Sequence, residues 1–112
     1  MDCIFCKIVA GDIPSTKVYE DDTVLAFRDI NPEAPVHVIV IPKEHISSAN
    51  EICEANSAVV AHIFEVIPKI AAAEELEDGY RIITNIGANG GQSVHHLHFH
   101  ILGGKKLTLK LA

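Results

Sequence analysis

Hydrophobic and polar positions divide the chain into short strand-like segments separated by polar turns. Five segments have the apolar, β-branched pattern of strands, and they cover residues 17–20, 24–28, 36–41, 80–84 and 94–102. An acidic pair, Asp21 and Asp22, joins the first two and predicts a hairpin. The third segment is apolar at nearly every position, which favours a central strand covered on both faces. His37 is the one polar residue within it.

One long helix is predicted between the third and fourth strands. From about Ser57, apolar residues recur at three- and four-residue steps as far as Ala71, the pattern of an amphipathic helix of about twenty residues. Pro68 lies inside it and is expected to kink the helix or to remove one backbone hydrogen bond. Residues 3–9 suit a turn or a single helical coil. These elements predict an α+β fold, a five-stranded, mainly antiparallel sheet with one long helix packed on it.

Composition narrows the class of protein. The 112 residues, 48% of them hydrophobic, are expected to form a single domain, residues 1–112. The formal net charge of −6 argues against a nucleic-acid partner, because phosphate backbones select basic surfaces. No apolar run reaches the ~18–20 residues of a membrane span and no export signal opens the chain, so we expect a cytoplasmic protein without a membrane partner. Three cysteines, an odd number, argue against a disulfide framework.

The most unusual feature of the chain is a run in which histidine alternates with large apolar residues. The histidines are His96, His98 and His100, and the apolar residues are Leu97, Phe99 and Ile101. Alternation at period two predicts that the three imidazoles share one face of a strand. Because clustered imidazoles repel one another when protonated, they indicate a metal site or a nucleophilic or acid–base site. His96 and His100 would start ~13 Å apart, which disfavours one zinc ion bound by all three.

Two further features of the sequence, a cysteine pair and a glycine-rich loop, suggest binding or catalysis. Cys3 and Cys6 form a C-x-x-C pair that supplies half of a tetrahedral zinc site, with redox chemistry or chance as alternatives from the residues alone. The loop of residues 85–93 is rich in glycine, which lets backbone N–H groups approach and cradle a phosphate. Ser93 adds a hydroxyl to this loop. A histidine on the adjoining strand would then be placed to attack phosphorus.

Three segments together resemble the nucleotide-binding branch of the histidine-triad (HIT) family. Residues 90–102, GGQSVHHLHFHIL, resemble the family pattern His-φ-His-φ-His-φ-φ, in which φ is apolar. Residues 29–32 (DINP) and 36–45 (VHVIVIPKEH) are also similar to that branch. The resemblance covers nearly the whole chain and implies a homodimeric enzyme. Its expected reaction is the cleavage of purine nucleoside 5′-phosphoramidates or related nucleotide conjugates, with release of AMP or GMP.

The resemblance implies roles for single residues, carried over by position. His98 would be the nucleophile that takes the nucleotidyl group, which water then removes. The other residues of the catalytic set would be His100 on the phosphate, His37 holding the triad, and Ser93 on the phosphate or the leaving nitrogen. The implied nucleotide-binding residues are Asp29, Ile30, Asn85, Gly91, Gln92, Ser93, His98 and His100. Some relatives carry a structural zinc, and the matching ligands here are Cys3, Cys6, His45 and His96.

Four histidine, aspartate and asparagine positions have simpler interpretations from the residues alone. Asp29 suits a turn before Asn31-Pro32, and Asn85 suits a cap at the end of a strand. His62 is expected on the solvent face of the long helix, and His95 on the apolar side of its strand as a packing residue.

Other functions are compatible with the same residues. The chain could be a nucleotide-binding or scaffold protein with little catalysis, or a dinucleoside polyphosphate hydrolase. Metal storage or sensing would use Cys3, Cys6 and the histidines. Several members of the family end in an aromatic-containing tail, whereas this chain has no Trp, so the sequence leaves the preferred leaving group open.

Overall fold

A computed structural model describes residues 3–110. The helices are α1 (Ile4–Ala10) and α2 (Ser57–Ala73), and a 3₁₀ turn covers Ala49–Glu51. The strands are β1 (Lys17–Glu20), β2 (Val24–Arg28), β3 (Val36–Pro42), β4 (Arg81–Ile83) and β5 (Phe99–Gly103). They form one sheet in the order β1-β2-β3-β5-β4, and every neighbouring pair is antiparallel. The predicted α+β fold and its hairpin are confirmed. Single-domain organisation of residues 1–112 stays a prediction, since residues 1, 2, 111 and 112 lie outside the described residues.

Helices cover both faces of the sheet. On one face α2 packs on Val38 and Val40 of β3 through its buried residues, which are Ile63, Val66, Ile67, Ile70 and Ala71. On the other face Phe5 and Ile8 of α1 pack on residues of β2 and β3, which are Leu25, Phe27, Ile39 and Ile41. Alternate residues of β3 therefore enter two separate hydrophobic clusters. The prediction of a central strand covered on both sides is confirmed.

The helix α1 covers a segment for which the sequence predicts either a turn or a single helical coil. Its start is capped by Cys3, whose Sγ accepts a hydrogen bond from the Cys6 N–H at 3.4 Å. Its end is capped by Gly11, which has a φ of 84° and donates its N–H to the Ile8 carbonyl at 3.1 Å. A left-handed φ favours glycine, so residue 11 fixes where the helix ends.

The strand β5 begins later than its sequence pattern predicts. Pairing starts at Phe99, opposite Val40 of β3, and residues 94–98 lie outside the ladder. The Leu97 N–H donates instead to the carbonyl oxygen of Ile46 at 2.6 Å. This contact lies beyond the end of β3 at Pro42. The alternation of the histidine run continues before the ladder, because Leu97 joins Phe99 and Ile101 in the cluster under α2 while His96 and His98 both contact Phe5 of α1.

The remaining elements follow the pattern closely. The helix α2 has 17 residues and continues through Pro68, whose side chain is exposed. Within residues 3–110, no helix is both long and apolar enough to cross a lipid bilayer. Of the tail after β5, residues 105–110 are described and contain no strand.

His62 lies on the partly exposed face of α2, as predicted, and it also pairs with a residue of the β1–β2 turn. Its Nε2 lies 2.6 Å from Oδ2 of Asp21 and donates a hydrogen bond to it. Oδ2 of the same carboxylate accepts the hydroxyl of Tyr19 at 2.7 Å, and its Oδ1 accepts the backbone N–H groups of Thr23 and Val24 at 2.9 and 2.8 Å. The Asp21 carboxylate therefore stabilises the β1–β2 turn and links it to α2.

The Asp21–His62 pair should make stability depend on pH. The hydrogen bond with Asp21, and a second with Glu65, raises the pKa of His62 above the usual 6.5. Burial alone would raise the pKa of Asp21, but hydrogen bonds from His62, Tyr19 and the turn outweigh it and hold that pKa well below 3.8. The pair is therefore strongest between pH 3.8 and 6.5 and weakens at alkaline pH, as His62 loses its proton.

Replacement of His62 by Gln should lower the melting temperature in that window and have a smaller effect at alkaline pH. Melting curves of His62→Gln and of the unmodified chain across the pH range measure the difference. Lys69→Gln, an exposed change on the same helix, is the matched control. A difference in melting temperature that is equally large at alkaline pH would contradict the ionic part of this contact.

Candidate active site and metal centre

The three histidines of the run are used in two different places. His96 is completely buried and faces Cys3, Cys6 and His45. His98 and His100 line a cleft on the face of the sheet that α1 partly covers. The three rings nevertheless lie on the same side of the chain, as the alternation predicts. Phe5 of α1 contacts both His96 and His98, and His98 contacts His100, whereas Leu97, Phe99 and Ile101 enter the hydrophobic cluster under α2.

The four predicted metal ligands lie together. Nδ1 of His96 is 3.4 Å from Sγ of Cys3, 3.6 Å from Sγ of Cys6 and 3.2 Å from Nδ1 of His45. Sγ of Cys6 is 3.3 Å from Nδ1 of His45, and all four donor atoms lie within 4.8 Å of one another. A tetrahedral zinc ion at ordinary bond lengths separates its ligand atoms by about 3.3 Å for two nitrogens and about 3.6 Å for nitrogen and sulfur. The donor set fits zinc in kind and spacing.

A hydrogen bond and burial hold the ring of His96 in the form that can bind a metal ion. Its Nε2 donates a hydrogen bond to the carbonyl oxygen of Pro42 at 2.8 Å, which assigns the proton to Nε2 and leaves the Nδ1 lone pair facing the sulfurs. Burial lowers the pKa of His96, so the ring is neutral at neutral pH. A neutral ring with a fixed lone pair is the form that binds a metal.

The cleft has a volume of about 460 Å³ and contains most of the predicted catalytic and nucleotide-binding residues. Those on its wall are Asp29, Ile30, His37, Ser93, His98 and His100. The rest of the wall is mainly apolar and includes Ile4, Phe5, Ile8, Ile13, Phe27 and Ile39. The sequence analysis missed the contribution of α1, although Phe5 and Ile8 have the spacing of one helical face.

Hydrogen bonds assign a proton to each imidazole of the cleft. The Glu33 N–H donates to Nδ1 of His37 at 3.1 Å, so the proton of His37 lies on Nε2. That Nε2 donates to Nδ1 of His100 at 2.9 Å, which leaves the proton of His100 on its own Nε2. Nδ1 of His98 donates to the carbonyl oxygen of His96 at 2.6 Å, so the lone pair of His98 lies on Nε2. The cleft thus combines one nucleophilic nitrogen with one N–H donor.

The protonation states support this assignment. Burial lowers the pKa of His98, against the opposing effect of its bond to the His96 carbonyl. Burial, with the neighbouring His98 and His37, lowers the pKa of His100 to about 4. Both rings are therefore neutral at neutral pH, and a neutral imidazole is the nucleophilic form.

Asp29 joins the loop before β3 to this histidine chain. Its Oδ1 accepts the Asn31 N–H at 2.7 Å, the turn contact that the residues alone favour, and its Oδ2 lies 3.4 Å from Nε2 of His37. Asp29, His37 and His100 are also close enough to surround a metal ion. Since Nε2 of His37 carries a proton while Glu33 occupies Nδ1, this group is unsuited to ligation and suits proton transfer.

Three predicted nucleotide-binding residues lie outside the cleft wall, in the glycine-rich loop. Nδ2 of Asn85 donates to the carbonyl oxygen of Gly90 at 2.8 Å. Oε1 of Gln92 accepts the Gly87 N–H at 2.9 Å, and its Nε2 donates to the Ser47 carbonyl at 2.7 Å. Gly91, with a φ of 77°, completes the turn. The amide of Asn85 therefore holds the loop internally, whereas that of Gln92 also attaches the loop to the segment at Ser47.

His95 lies in the bend after this loop, and its position corrects the expectation of a packing residue. It is exposed and precedes the paired part of β5, so the alternation from which its place was predicted does not apply there. In contrast, Thr84 was missed: its hydroxyl donates to the carbonyl oxygen of His98 at 2.7 Å.

An ion pair at the rim of the cleft has no signal in the hydrophobic pattern or the motifs. Nη1 and Nη2 of Arg28 donate to the two carboxylate oxygens of Glu74 at 2.6 and 2.9 Å. Arg28 is the one arginine or lysine among the residues that line the cleft in the described part of the chain. Both Nη atoms of its guanidinium already donate hydrogen bonds to the Glu74 carboxylate.

The lowered pKa of His100 can be measured directly. NMR titration of the imidazole should find His100 neutral until the pH approaches 4, below the 6.5 of an unperturbed histidine. The unfolded chain takes up this proton more readily, so the free energy of unfolding should fall between pH 6.5 and 4. His100→Gln should remove part of that slope in denaturant unfolding. Titration of His100 at or above 6.5 would contradict the proton assignment.

Comparison with known proteins agrees with this geometry. The HIT domain family model matches residues 10–107. A purine nucleoside phosphoramidase from Escherichia coli (strain K12) is 45% identical over 112 residues, 99% of this chain and 94% of the relative. A 14 kDa zinc-binding protein from Zea mays is 46% identical over 107 residues, 94% of this chain and 84% of the relative.

A solved structure gives the same result for the fold. The HIT family hydrolase from Clostridium thermocellum is 47% identical and superposes with a TM-score of 0.96, covering 99% of this chain and 97% of that one. The histidine run, its position beside the cleft and the extent of these matches lead to one conclusion. The chain belongs to the HIT domain family.

Proposed function

We propose that this protein is a hydrolase that cleaves purine nucleoside 5′-phosphoramidates or related nucleotide conjugates and releases AMP or GMP. One observation carries the proposal: the bond from Nδ1 of His98 to the His96 carbonyl, at 2.6 Å, leaves Nε2 as a lone-pair nitrogen on a ring that lines the cleft. The phosphoramidase activity named for the Escherichia coli relative supports the choice of the phosphorus–nitrogen bond.

The proposed reaction has two displacement steps. Nε2 of His98 attacks phosphorus, the phosphorus–nitrogen bond breaks, and the leaving nitrogen takes up a proton from the solvent and departs as an amine. Water then attacks phosphorus, the bond from phosphorus to Nε2 breaks, the water gives one proton back to the solvent, and neutral His98 is restored. During the adduct the ring is cationic, and the His96 carbonyl stabilises it through the Nδ1 proton. The Nε2–H of His100 donates to the phosphate, and Ser93 contacts the phosphate or the leaving nitrogen.

The nucleotide would be held by the loop before β3 and by the glycine-rich loop. Asp29 has a carboxylate on the cleft wall that can accept from ribose hydroxyls, and Ile30 is 91% exposed at the same rim, open to pack against a purine. The amide of Asn85 is occupied within the loop, and that of Gln92 joins the loop to Ser47 and Val94. Their proposed role is therefore to hold the backbone N–H groups of the loop toward the phosphate. Gly91 provides the turn that this requires.

We also propose a structural zinc ion held by Cys3, Cys6, His45 and His96. The donor spacing supports it, as does the name of the Zea mays relative. Burial, with a hydrogen bond to Cys3, raises the pKa of the Cys6 thiol, so binding should release a proton and tighten as pH rises. The site would connect the start of α1 to the segment that precedes β5.

The assembly and location of the protein complete the proposal. We propose a cytoplasmic homodimer built from one domain per chain, with a purine nucleotide as its ligand. Phe64 of α2 is 48% exposed and packs edge-on against Phe99, so a large apolar ring remains available for a second copy. The net charge of −6 continues to argue against a nucleic-acid partner.

Replacement of His98 by Ala should reduce AMP release from adenosine 5′-phosphoramidate by about 10³-fold or more, because no other described cleft residue has an equivalent free lone pair. His95→Ala is the matched control, since His95 is exposed and outside the cleft. Mass spectrometry of quenched reactions should find one nucleotidyl group on the unmodified chain and none on His98→Ala. Full activity of His98→Ala would refute the proposal. Tight AMP binding with negligible turnover across phosphoramidates and dinucleoside polyphosphates would favour the scaffold alternative.

Replacement of His96 by Ala should remove zinc and destabilise the fold, and activity should fall as a consequence. The side chain is completely buried, so its loss should cost about 2 kcal/mol or more in addition to the metal. Elemental analysis and thermal unfolding measure the two effects, with His95→Ala as the control for loss of an exposed histidine. One zinc per chain is expected before mutation. A His96→Ala protein that keeps its zinc would show that these residues do not form the site.

A further inference from the structure

The first turn of α1 contacts both the metal cluster and the nucleophile. Cys3 and Cys6 lie one turn apart, and Phe5 stands between them in the sequence. The ring of Phe5 packs edge-on against His96, with centroids 5.9 Å apart, and against His98, with centroids 5.1 Å apart. Any change in the position of this turn therefore changes the packing around the nucleophilic ring.

A second contact runs through the backbone of His96. The side chain of His96 faces the two sulfurs, and its carbonyl oxygen accepts the Nδ1 proton of His98 at 2.6 Å. This hydrogen bond fixes which nitrogen of His98 carries the lone pair. Residues 94–98 have no strand pairing. The backbone beside His96 is held by the Leu97 N–H on the Ile46 carbonyl and by Thr84 on the His98 carbonyl, and the side-chain contacts of His96 are the further restraint on its carbonyl.

The sulfur atoms themselves are open to oxidation. Cys3 and Cys6 are partly exposed, and their Sγ atoms belong to a group of donor atoms that all lie within 4.8 Å of one another. A C-x-x-C pair at this separation can close to the ~2.05 Å of a disulfide with a modest shift of the first helical turn.

We propose that Cys3 and Cys6 form a redox-sensitive lock on the active site, in which oxidation of the pair releases the metal and loosens the hold of His96 on His98. The proposal rests on the function proposed above for His98 and the metal cluster. In the reduced state the metal joins His96 to Cys3, Cys6 and His45, and the carbonyl oxygen of His96 holds the nucleophile. In the oxidised state the two sulfur donors are lost, the side chain of His96 keeps only its hydrogen bond to the Pro42 carbonyl, and Phe5 shifts with its turn.

The oxidant in this scheme is a peroxide. Two metal-bound thiolates, one peroxide molecule and two protons give one disulfide and two water molecules, and the zinc ion leaves with its charge unchanged. The two sulfurs lose two electrons in total, which the peroxide accepts. A dithiol reductant reverses the step, and zinc can then bind again.

The test follows three quantities in the zinc-loaded, full-length protein during treatment with hydrogen peroxide. A chromogenic chelator should report one zinc released per chain, and peptide mass spectrometry should find the Cys3–Cys6 disulfide. Long-range ¹H–¹⁵N NMR spectra of the histidine rings, with His98 assigned by comparison with His98→Gln, should lose the signals of a single fixed His98 tautomer. Reductant with added zinc should restore all three quantities.

Two variants sharpen the experiment. Cys53→Ser removes the exposed third cysteine and should respond like the unmodified chain. Cys6→His keeps four donors but cannot form the disulfide, and it should retain zinc in peroxide. If Cys6→His binds no zinc, a chelator under reducing conditions serves instead and should change the His98 spectrum in the unmodified protein without oxidation.

The outcomes separate this proposal from the proposed function. Zinc release that leaves the His98 spectrum unchanged would overturn the lock, as would peroxide treatment that leaves both thiols intact. The spectra need no substrate, so the lock can hold in a protein that fails to turn over phosphoramidates. Turnover of phosphoramidates that continues at the same rate after zinc release would retain the hydrolase and reject the lock.

Discussion

The alternation of histidine with apolar residues beneath α1 decides how the three histidines are used. From Phe99 onward, pairing with β3 and β4 fixes alternate side chains on opposite faces of the sheet. Residues 96–98 precede the ladder but keep the same alternation, since Leu97 enters the cluster under α2 while His96 and His98 both contact Phe5 of α1. Along this row, His96 lies at the end that meets Cys3, Cys6 and His45, whereas His98 and His100 line the cleft. One row of imidazoles therefore supplies both the candidate metal centre and the cleft.

Much of the fold could be predicted because its strongest signals are periodic. The β1–β2 hairpin, the doubly covered strand β3 and the long helix α2 all have patterns that extend over several residues. The helix α1 was harder to predict from the hydrophobic pattern. It has seven residues, of which only Phe5 and Ile8 are buried, and its limits depend on a cysteine cap and on Gly11. Local capping of this kind leaves little trace in a hydrophobic pattern.

The residues of the candidate site were predicted, whereas the hydrogen bonds that orient them were not. Resemblance to a known family selected six residues that line the cleft and four that surround the metal position. The contacts that orient them join residues far apart in the sequence, such as the bond from Thr84 to the His98 carbonyl and the one from His96 to the Pro42 carbonyl. Neither contact has a local pattern. Backbone acceptors of this kind become visible only when the folded chain brings them to a side chain.

The pairing of Arg28 with Glu74 has a consequence for which ligands the cleft accepts. The described wall of the cleft includes the carboxylates of Asp29 and Glu33, and its one guanidinium is neutralised by Glu74 outside the wall. The field inside the cleft is therefore negative overall, and His98 and His100 add no positive charge while they are neutral. For the nucleotide proposed above, a single phosphate would be held by N–H and O–H donors, whereas each further anionic group would meet uncompensated repulsion. Because Glu74, just beyond the end of α2, neutralises Arg28, the cleft would select against ligands that carry several negative charges.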